Sequence, residues 1–175
     1  MSIKDIGPVM QMAFVPTDFD AALTYWTQVM GVGPFFLIQN IELGNMRYLG
    51  EPTACKFSLA LAYWGDMQIE LIRPENDAPG IYRGKYGVSG DVLHHTCILT
   101  DDLVQARKIA EDAGAKVLVE GTTGSDGAVI YVDTGAGAGS IVEILQMASG
   151  SEGLFAMIKA ASVGWDGSDP VRKLG

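Results

Sequence analysis

Leu93-His-His-Thr-Cys-Ile-Leu99, running through Thr100-Asp-Asp102 into an amphipathic stretch ending at Ala113, is matched early in the chain. The counterpart is Val9-Met-Gln-Met-Ala-Phe-Val15, running through Thr17-Asp-Phe-Asp20 into a stretch ending at Met30. In both, an apolar strand-like run meets an acidic capping signal, with Thr17 to Asp20 reading as an approximate capping box. Apolar residues then recur at helical spacing: Phe19, Leu23, Trp26 and Met30 over 18–30, and Leu103, Ala106, Ala110 and Ala113 over 102–113. Gly31, Gly33 and Pro34 stop the first helix and Gly114 stops the second. Strand-like runs follow at 35–42, 55–64 and 67–72, and again at 115–120, 128–133 and 140–146; Gly65-Asp66 reads as a tight hairpin turn. The chain is therefore β-α-β-β-β twice over, an α+β pattern.

The registers agree. Gln11 and His95 stand 84 residues apart, and the same offset places Asp18 on Asp102 and Phe19 on Leu103. Glu70 and Glu143 stand 73 apart, and a longer loop around Gly44 to Thr53 absorbs the difference. The expected organisation is one domain over residues 1–150, with module one at 7–74, a linker at 75–90 and module two at 91–147. A C-terminal helix and tail occupy 151–175. The linker, rich in Gly, Pro and Asp, reads as a surface connector whose centre, Ile81 to Tyr86, could cover a pocket. Leu154 to Ala161 reads as a helix capped by Ser151 and packed on the outside or on a partner subunit. The last ten residues read as frayed or extended.

Composition narrows the function. Of 175 residues, 48% are hydrophobic and 19% charged, enough for a packed core and unlike a disordered chain. A net charge of -9 argues against a nucleic-acid partner. No apolar run approaches the ~20 residues of a membrane span, and the N-terminus lacks a signal-peptide core, so a cytoplasmic protein is expected. Cys55 and Cys97 read as buried free thiols.

Four polar residues interrupt the apolar strands. Strand alternation places Gln11 with Val9, Ala13 and Val15, and His95 with Leu93, Cys97 and Leu99, leaving His94 on the opposite face. Glu70 and Glu143 each lie between two apolar residues that face away. A carboxylate inside a buried strand is costly unless neutralised. If the sheets curl, all four can point into one concavity. Two glutamates, an amide and an imidazole suit one divalent ion, Zn, Co, Ni, Mn or Fe, with positions left for water or substrate.

Met10 to Leu23, Gln68 to Pro74, Leu93 to Leu103 and Ile141 to Leu145 together resemble the vicinal oxygen chelate superfamily. That group includes glyoxalase I, methylmalonyl-CoA epimerase, extradiol dioxygenases and bleomycin- or fosfomycin-resistance proteins. The resemblance covers about residues 7–147. It implies paired βαβββ modules in a cupped, barrel-like mixed sheet, often with the site near a homodimer interface. It implies Gln11, Glu70, His95 and Glu143 as metal ligands, Gln11 standing where many members have His. Ring-cleaving members use two His and one Glu on iron, and the single His here disfavours that chemistry. The two glutamates resemble the glyoxalase and epimerase branches, which move a proton beside a metal-bound carbonyl. Glu143 and Glu70 are then the base and acid, in an order left open.

The implied activity is that of a metal-dependent lyase or isomerase on a small-molecule substrate. The alternatives are a non-catalytic binding or resistance protein and, less favoured, a dioxygenase. Gly135 to Ser140 precedes a strand rather than a helix and reads as a hairpin loop, not a nucleotide cradle. Arg47, Arg73, Arg83 and Lys85 could anchor a substrate carboxylate or phosphate, and each taken singly reads as solvated charge. Aromatics such as Trp26, Tyr63, Tyr82 and Tyr131 divide between core and pocket wall, where a bulky apolar or aromatic substrate would suit them.

Overall fold

Two aspartates frame the halves. In the computed structural model, which describes residues 1–87, 92–137 and 139–174, Asp18 accepts from the Ala21 amide at 2.9 Å. It opens α1 (Phe19–Thr24), which a π-helical turn over Tyr25–Val29 prolongs. Asp102 accepts from the Gln105 amide, also at 2.9 Å, and opens α2 (Leu103–Asp112). The first cap thus falls on Asp18 rather than Thr17. Phe19, Leu23 and Trp26 are buried as their spacing requires. In α2 the buried face is Ala106, Ile109 and Ala110, while Ala113, beyond the helix, is exposed.

The strands are β1 (Val9–Phe14), β2 (Phe35–Ile41), β3 (Gly44–Tyr48), β4 (Glu51–Pro52), β5 (Phe57–Trp64), β6 (Met67–Pro74), β7 (Leu93–Leu99), β8 (Lys116–Thr123), β9 (Gly127–Asp133), β10 (Ile141–Gln146) and β11 (Val171–Lys173). They form one mixed sheet ordered β11-β2-β5-β6-β1-β7-β10-β9-β8-β3-β4. At its centre β1 runs antiparallel to β7, and each has a parallel neighbour, β6 or β10. The order β2-β5-β6-β1 meets β7-β10-β9-β8 as the same βαβββ module reversed, so the sheet curls around an approximate two-fold without closing.

Alternation sorts the faces. Phe14, Ala60, Ile69 and Leu71 pack under α1, and Ile130, Val132 and Ile144 under α2. The opposite, concave face holds Ala13, Phe57, Ile72, Val129, Tyr131 and Ile141.

Four whole segments depart from the sequence reading. Residues 44–52, expected as a loop, form the β3–β4 hairpin, which pairs with β8 of the other module through Arg47↔Glu120 and Tyr48↔Val119. The linker is not a plain surface connector. Ile81 and Tyr82, 1% and 4% exposed, fill the floor of the concave face against Cys55, Phe57 and Leu118. α3 (Ser151–Ser162) is capped by Gly150 at φ 86 rather than by Ser151, and it packs on this chain, with Ile158 fully buried among Phe36, Leu61 and Tyr63. The tail is not frayed: β11 adds to β2, the Phe35 amide donates to the Pro170 carbonyl at 2.8 Å, and the Trp165 ring covers Gly33. Gly90 of the expected linker, Ala138 of the glycine loop and Gly175 lie outside the described residues. Among the described residues no helix is long and apolar enough to cross a membrane.

Candidate metal centre

Strand register brings the four polar residues together. Across β6, β1, β7 and β10 one row reads Glu70, Ala13, His95, Ile141; the adjacent row reads Gln68, Gln11, Cys97, Glu143. Glu70 and His95 therefore flank Ala13, and Gln11 and Glu143 flank Cys97. Ala13 and Cys97 are small and buried, which leaves room for the longer side chains to converge. All four polar residues are buried: Gln11 is 4% exposed, Glu70 6%, His95 0% and Glu143 7%. His95 Nε2 lies 3.3 Å from Glu143 Oε2 and 3.5 Å from Glu70 Oε2. One donor atom each from Glu70, His95 and Glu143 lies within 4.8 Å of the others, so this group could hold a metal ion.

The hydrogen bonds test the fit. Gln11 Nε2 donates to Gln68 Oε1 at 2.6 Å, and Gln68 Nε2 donates to the Tyr63 hydroxyl at 3.1 Å. That chain fixes the amide and leaves its oxygen over. Among the described residues, Gln11 Oε1 and His95 Nε2 are the buried side-chain atoms without a hydrogen-bond partner. His95 Nε2 has carboxylates within 3.5 Å, but none in hydrogen-bonding geometry. Buried polar atoms are normally satisfied. Here the two orphans are one oxygen and one nitrogen donor beside two carboxylates, a set that fits a divalent ion of intermediate hardness.

A β-bulge places His94. Ala13 pairs with His95 and Phe14 with Leu93, so His94 is the extra residue on β7. Strict alternation would send its ring to the opposite face. Instead His94 Nδ1 lies 2.9 Å from His95 Nδ1. His94 Nε2 lies 2.9 Å from the Ile81 carbonyl, which only accepts, so Nε2 carries the proton. Burial, then the neighbouring His95, pushes the His94 pKa down to about 4, so this imidazole is neutral and its Nδ1 is a lone pair. His95 therefore donates from Nδ1, and its Nε2 is the nitrogen turned to the glutamates. Burial alone would depress the His95 pKa; Glu143 and Glu70 outweigh it and hold the value at about 9. Burial raises the pKa of Glu70.

A phenol chain orients the other carboxylate. The Tyr82 hydroxyl donates to Tyr131 at 3.3 Å, and Tyr131 donates to Glu143 Oε1 at 3.1 Å. Burial, reinforced by the glutamates, keeps both phenols protonated. Sequence reading did not single out Gln68 or the Tyr131 hydroxyl. The available signal was their period-two relation to Glu70 and Val129 on the inward face. Cys55 and Cys97 are buried and free, as expected.

Gln11, Glu70, Glu143 and Tyr131 open on a cavity of about 240 Å³, walled by apolar residues of β2, β5 and β10 and by Leu154 and Phe155 of α3. Arg73 pairs with Glu75, Arg83 with Asp77, Arg47 donates to the Gly50 carbonyl, and Lys85 lies over the Tyr86 ring, none of them lining it.

Similarity to known proteins agrees with the fold. The chain resembles, at 15% identity and a TM-score of 0.55, Streptomyces coelicolor methylmalonyl-CoA epimerase solved with 2-nitronate-propionyl-CoA, covering 82% of this chain and 99% of that one. Mycobacterium tuberculosis methylmalonyl-CoA epimerase matches at 12% identity and 0.55, over 87% and 95% of the two chains. A hypothetical protein of Bacillus halodurans C-125 matches at 12% and 0.55, over 81% and 95%. Among curated proteins none matches the sequence. Residues 10–132, which include Gln11, Glu70 and His95 but not Glu143, match the family model described as the glyoxalase/bleomycin resistance protein/dioxygenase superfamily. The chain belongs to that superfamily.

Proposed function

We propose that this protein is a metal-dependent isomerase or lyase that moves a proton beside the carbonyl of a small-molecule substrate. Gln11, Glu70, His95 and Glu143 hold one divalent ion, of the class Zn, Co, Ni, Mn or Fe. The observation that carries this reading is the pair of orphaned donor atoms beside two buried carboxylates at the head of a cavity. The epimerases of the same fold supply the reaction class.

The ion would supply a positive centre that stabilises negative charge building on the carbonyl oxygen as the adjacent proton leaves. The protein residues do the rest. Glu70 is the proton carrier: it flanks Ala13 opposite His95 and lines the cavity, and burial raises its pKa. Tyr131 holds Glu143 in one orientation, so Glu143 is the positioned ligand. The apolar walls lower the local dielectric around the reacting atoms, which strengthens the electrostatics there.

The test is solvent-deuterium incorporation into a panel of carbonyl compounds by protein loaded with Mn²⁺, Co²⁺, Ni²⁺ or Zn²⁺. Wild type should exchange the proton, and Glu70→Gln, assayed at a metal concentration high enough to restore its occupancy, should lose exchange by 10²-fold or more, a typical general-base contribution. Metal bound without exchange on any carbonyl would favour a binding protein of the same fold.

A further inference from the structure

We propose that the substrate of this site is an uncharged, largely apolar carbonyl compound about the size of a substituted ring, with α3 as the wall that selects it. The inference rests on the reading above and specifies its substrate class.

Three observations carry it. The first is size. The cavity measures about 240 Å³. A 150 Å³ cavity accepts benzene, whereas drug-sized ligands occupy roughly 300–1,000 Å³. The space fits a ring with a short side chain and is too small to take in a nucleotide or tripeptide conjugate whole. The second is lining chemistry. Apart from Gln11, the two glutamates and Tyr131 at the metal end, the polar wall residues among the described residues are Thr123 and Ser151, and none of the described Lys or Arg residues lines it. Phosphate and carboxylate handles are ordinarily met by Arg or Lys. Here Lys56, Arg73, Arg83, Arg107 and Lys159 are each paired with a carboxylate at the surface. With a net charge of -9 the whole chain repels a polyanion. The third is α3. It lies beyond residues 10–132, the stretch that matches the family model, yet its Ser151, Leu154 and Phe155 line the cavity. Ile158, fully buried, anchors the helix that carries them. The polar end of the cavity is thus joined to an apolar wall carried by α3.

The experiment compares matched ligands on Co²⁺-loaded protein, reading both binding, through the visible spectrum of the cobalt ion, and deuterium exchange. 2-Hydroxyacetophenone represents the neutral class. Methylmalonyl-CoA and the glutathione hemithioacetal of phenylglyoxal represent conjugates. The expected result is spectral change and exchange with the neutral compound, and at least ten-fold weaker binding of both conjugates. Phe155→Trp, which fills the half-buried wall, should lower binding of the neutral compound ten-fold or more while metal content stays at the wild-type level. Tighter binding or faster exchange of either conjugate overturns the substrate class and leaves the proton-transfer reading standing. Exchange with none of the three overturns both. Unchanged binding to Phe155→Trp, with its fold verified by circular dichroism, overturns the role of α3.

Discussion

Replacing Glu143 by Gln should separate the stability of the metal-free protein from its response to metal. The amide keeps the shape of the carboxylate and can still accept from Tyr131. Counting both glutamates as carboxylates and His95, whose pKa is held at about 9, as an imidazolium, the metal-free cluster has a formal charge of minus one. A divalent ion that displaces the imidazolium proton brings the wild-type cluster to zero. In Glu143→Gln the metal-free cluster is already neutral, and the metal-bound form is left positive in a buried site. Donor atoms here lie within 4.8 Å of one another. A unit pair at about 4 Å and an effective dielectric of 20 is worth about 4 kcal/mol, and a divalent ion doubles that. Losing a third of it is already about a hundred-fold in affinity. At metal one hundred times the wild-type Kd, wild type gains about 2.7 kcal/mol, a rise of roughly 5–11 °C in Tm for a chain of this length. The variant at the same concentration gains about 0.4 kcal/mol, roughly 1 °C. Calorimetry of chelator-stripped proteins with and without Mn²⁺, Co²⁺, Ni²⁺ or Zn²⁺ reads both. The metal-free variant should melt at or above metal-free wild type. A variant stabilised by metal as much as wild type would refute the reasoning.

The relay behind His95 makes its own prediction. His94→Phe removes the acceptor for the His95 Nδ1 proton and should weaken metal binding about 10–100-fold. His94→Asn, which retains an acceptor oxygen near that place, should recover most of it, as titration with Co²⁺ would show. Metal uptake should strengthen with pH by about ten-fold per unit from pH 7 to 8 and level off above about 9, because the ion must displace the His95 proton. The metal-free protein should behave oppositely. The folded pKa of about 9 lies above the unfolded value near 6.5, so the imidazolium's stabilisation is complete below about pH 6.5 and is lost as pH rises through 9. Denaturant unfolding of stripped and loaded protein across pH 6–10 should show the two trends diverging. Gly127→Ala should destabilise by about 2 kcal/mol or more in the same assay, because its Cβ would stand 2.6 Å from the Ala148 amide nitrogen and 2.8 Å from the Thr123 carbonyl oxygen.

The modular fold and the four converging residues were legible because their signals are local or repeated. Asp18 and Asp102 cap helices by short-range hydrogen bonds, and the offset that pairs them also pairs Gln11 with His95. What escaped depends on partners far along the chain. β3 carries Gly44, Asn45 and, just beyond it, Leu49 and Gly50 rather than a period-two pattern, and exists because β8 accepts it across the module boundary. Tyr82 lies in a connector whose Gly and Pro content signals a surface, yet a floor otherwise left open draws it in. His94 was sent to the wrong face because a bulge, a feature of pairing with β1, shifts the alternation at that one residue. β11 is three residues long and forms because β2 offers an edge and Trp165 covers Gly33.

The most direct measurement is the metal content of the purified chain by inductively coupled plasma mass spectrometry, after dialysis against divalent salts and then metal-free buffer. The expected result is close to one divalent ion per chain in wild type and well below one in His95→Ala and Glu143→Gln. A wild-type chain that retains no ion under any of these salts, or a His95→Ala chain that retains as much as wild type, would contradict a metal held by Gln11, Glu70, His95 and Glu143.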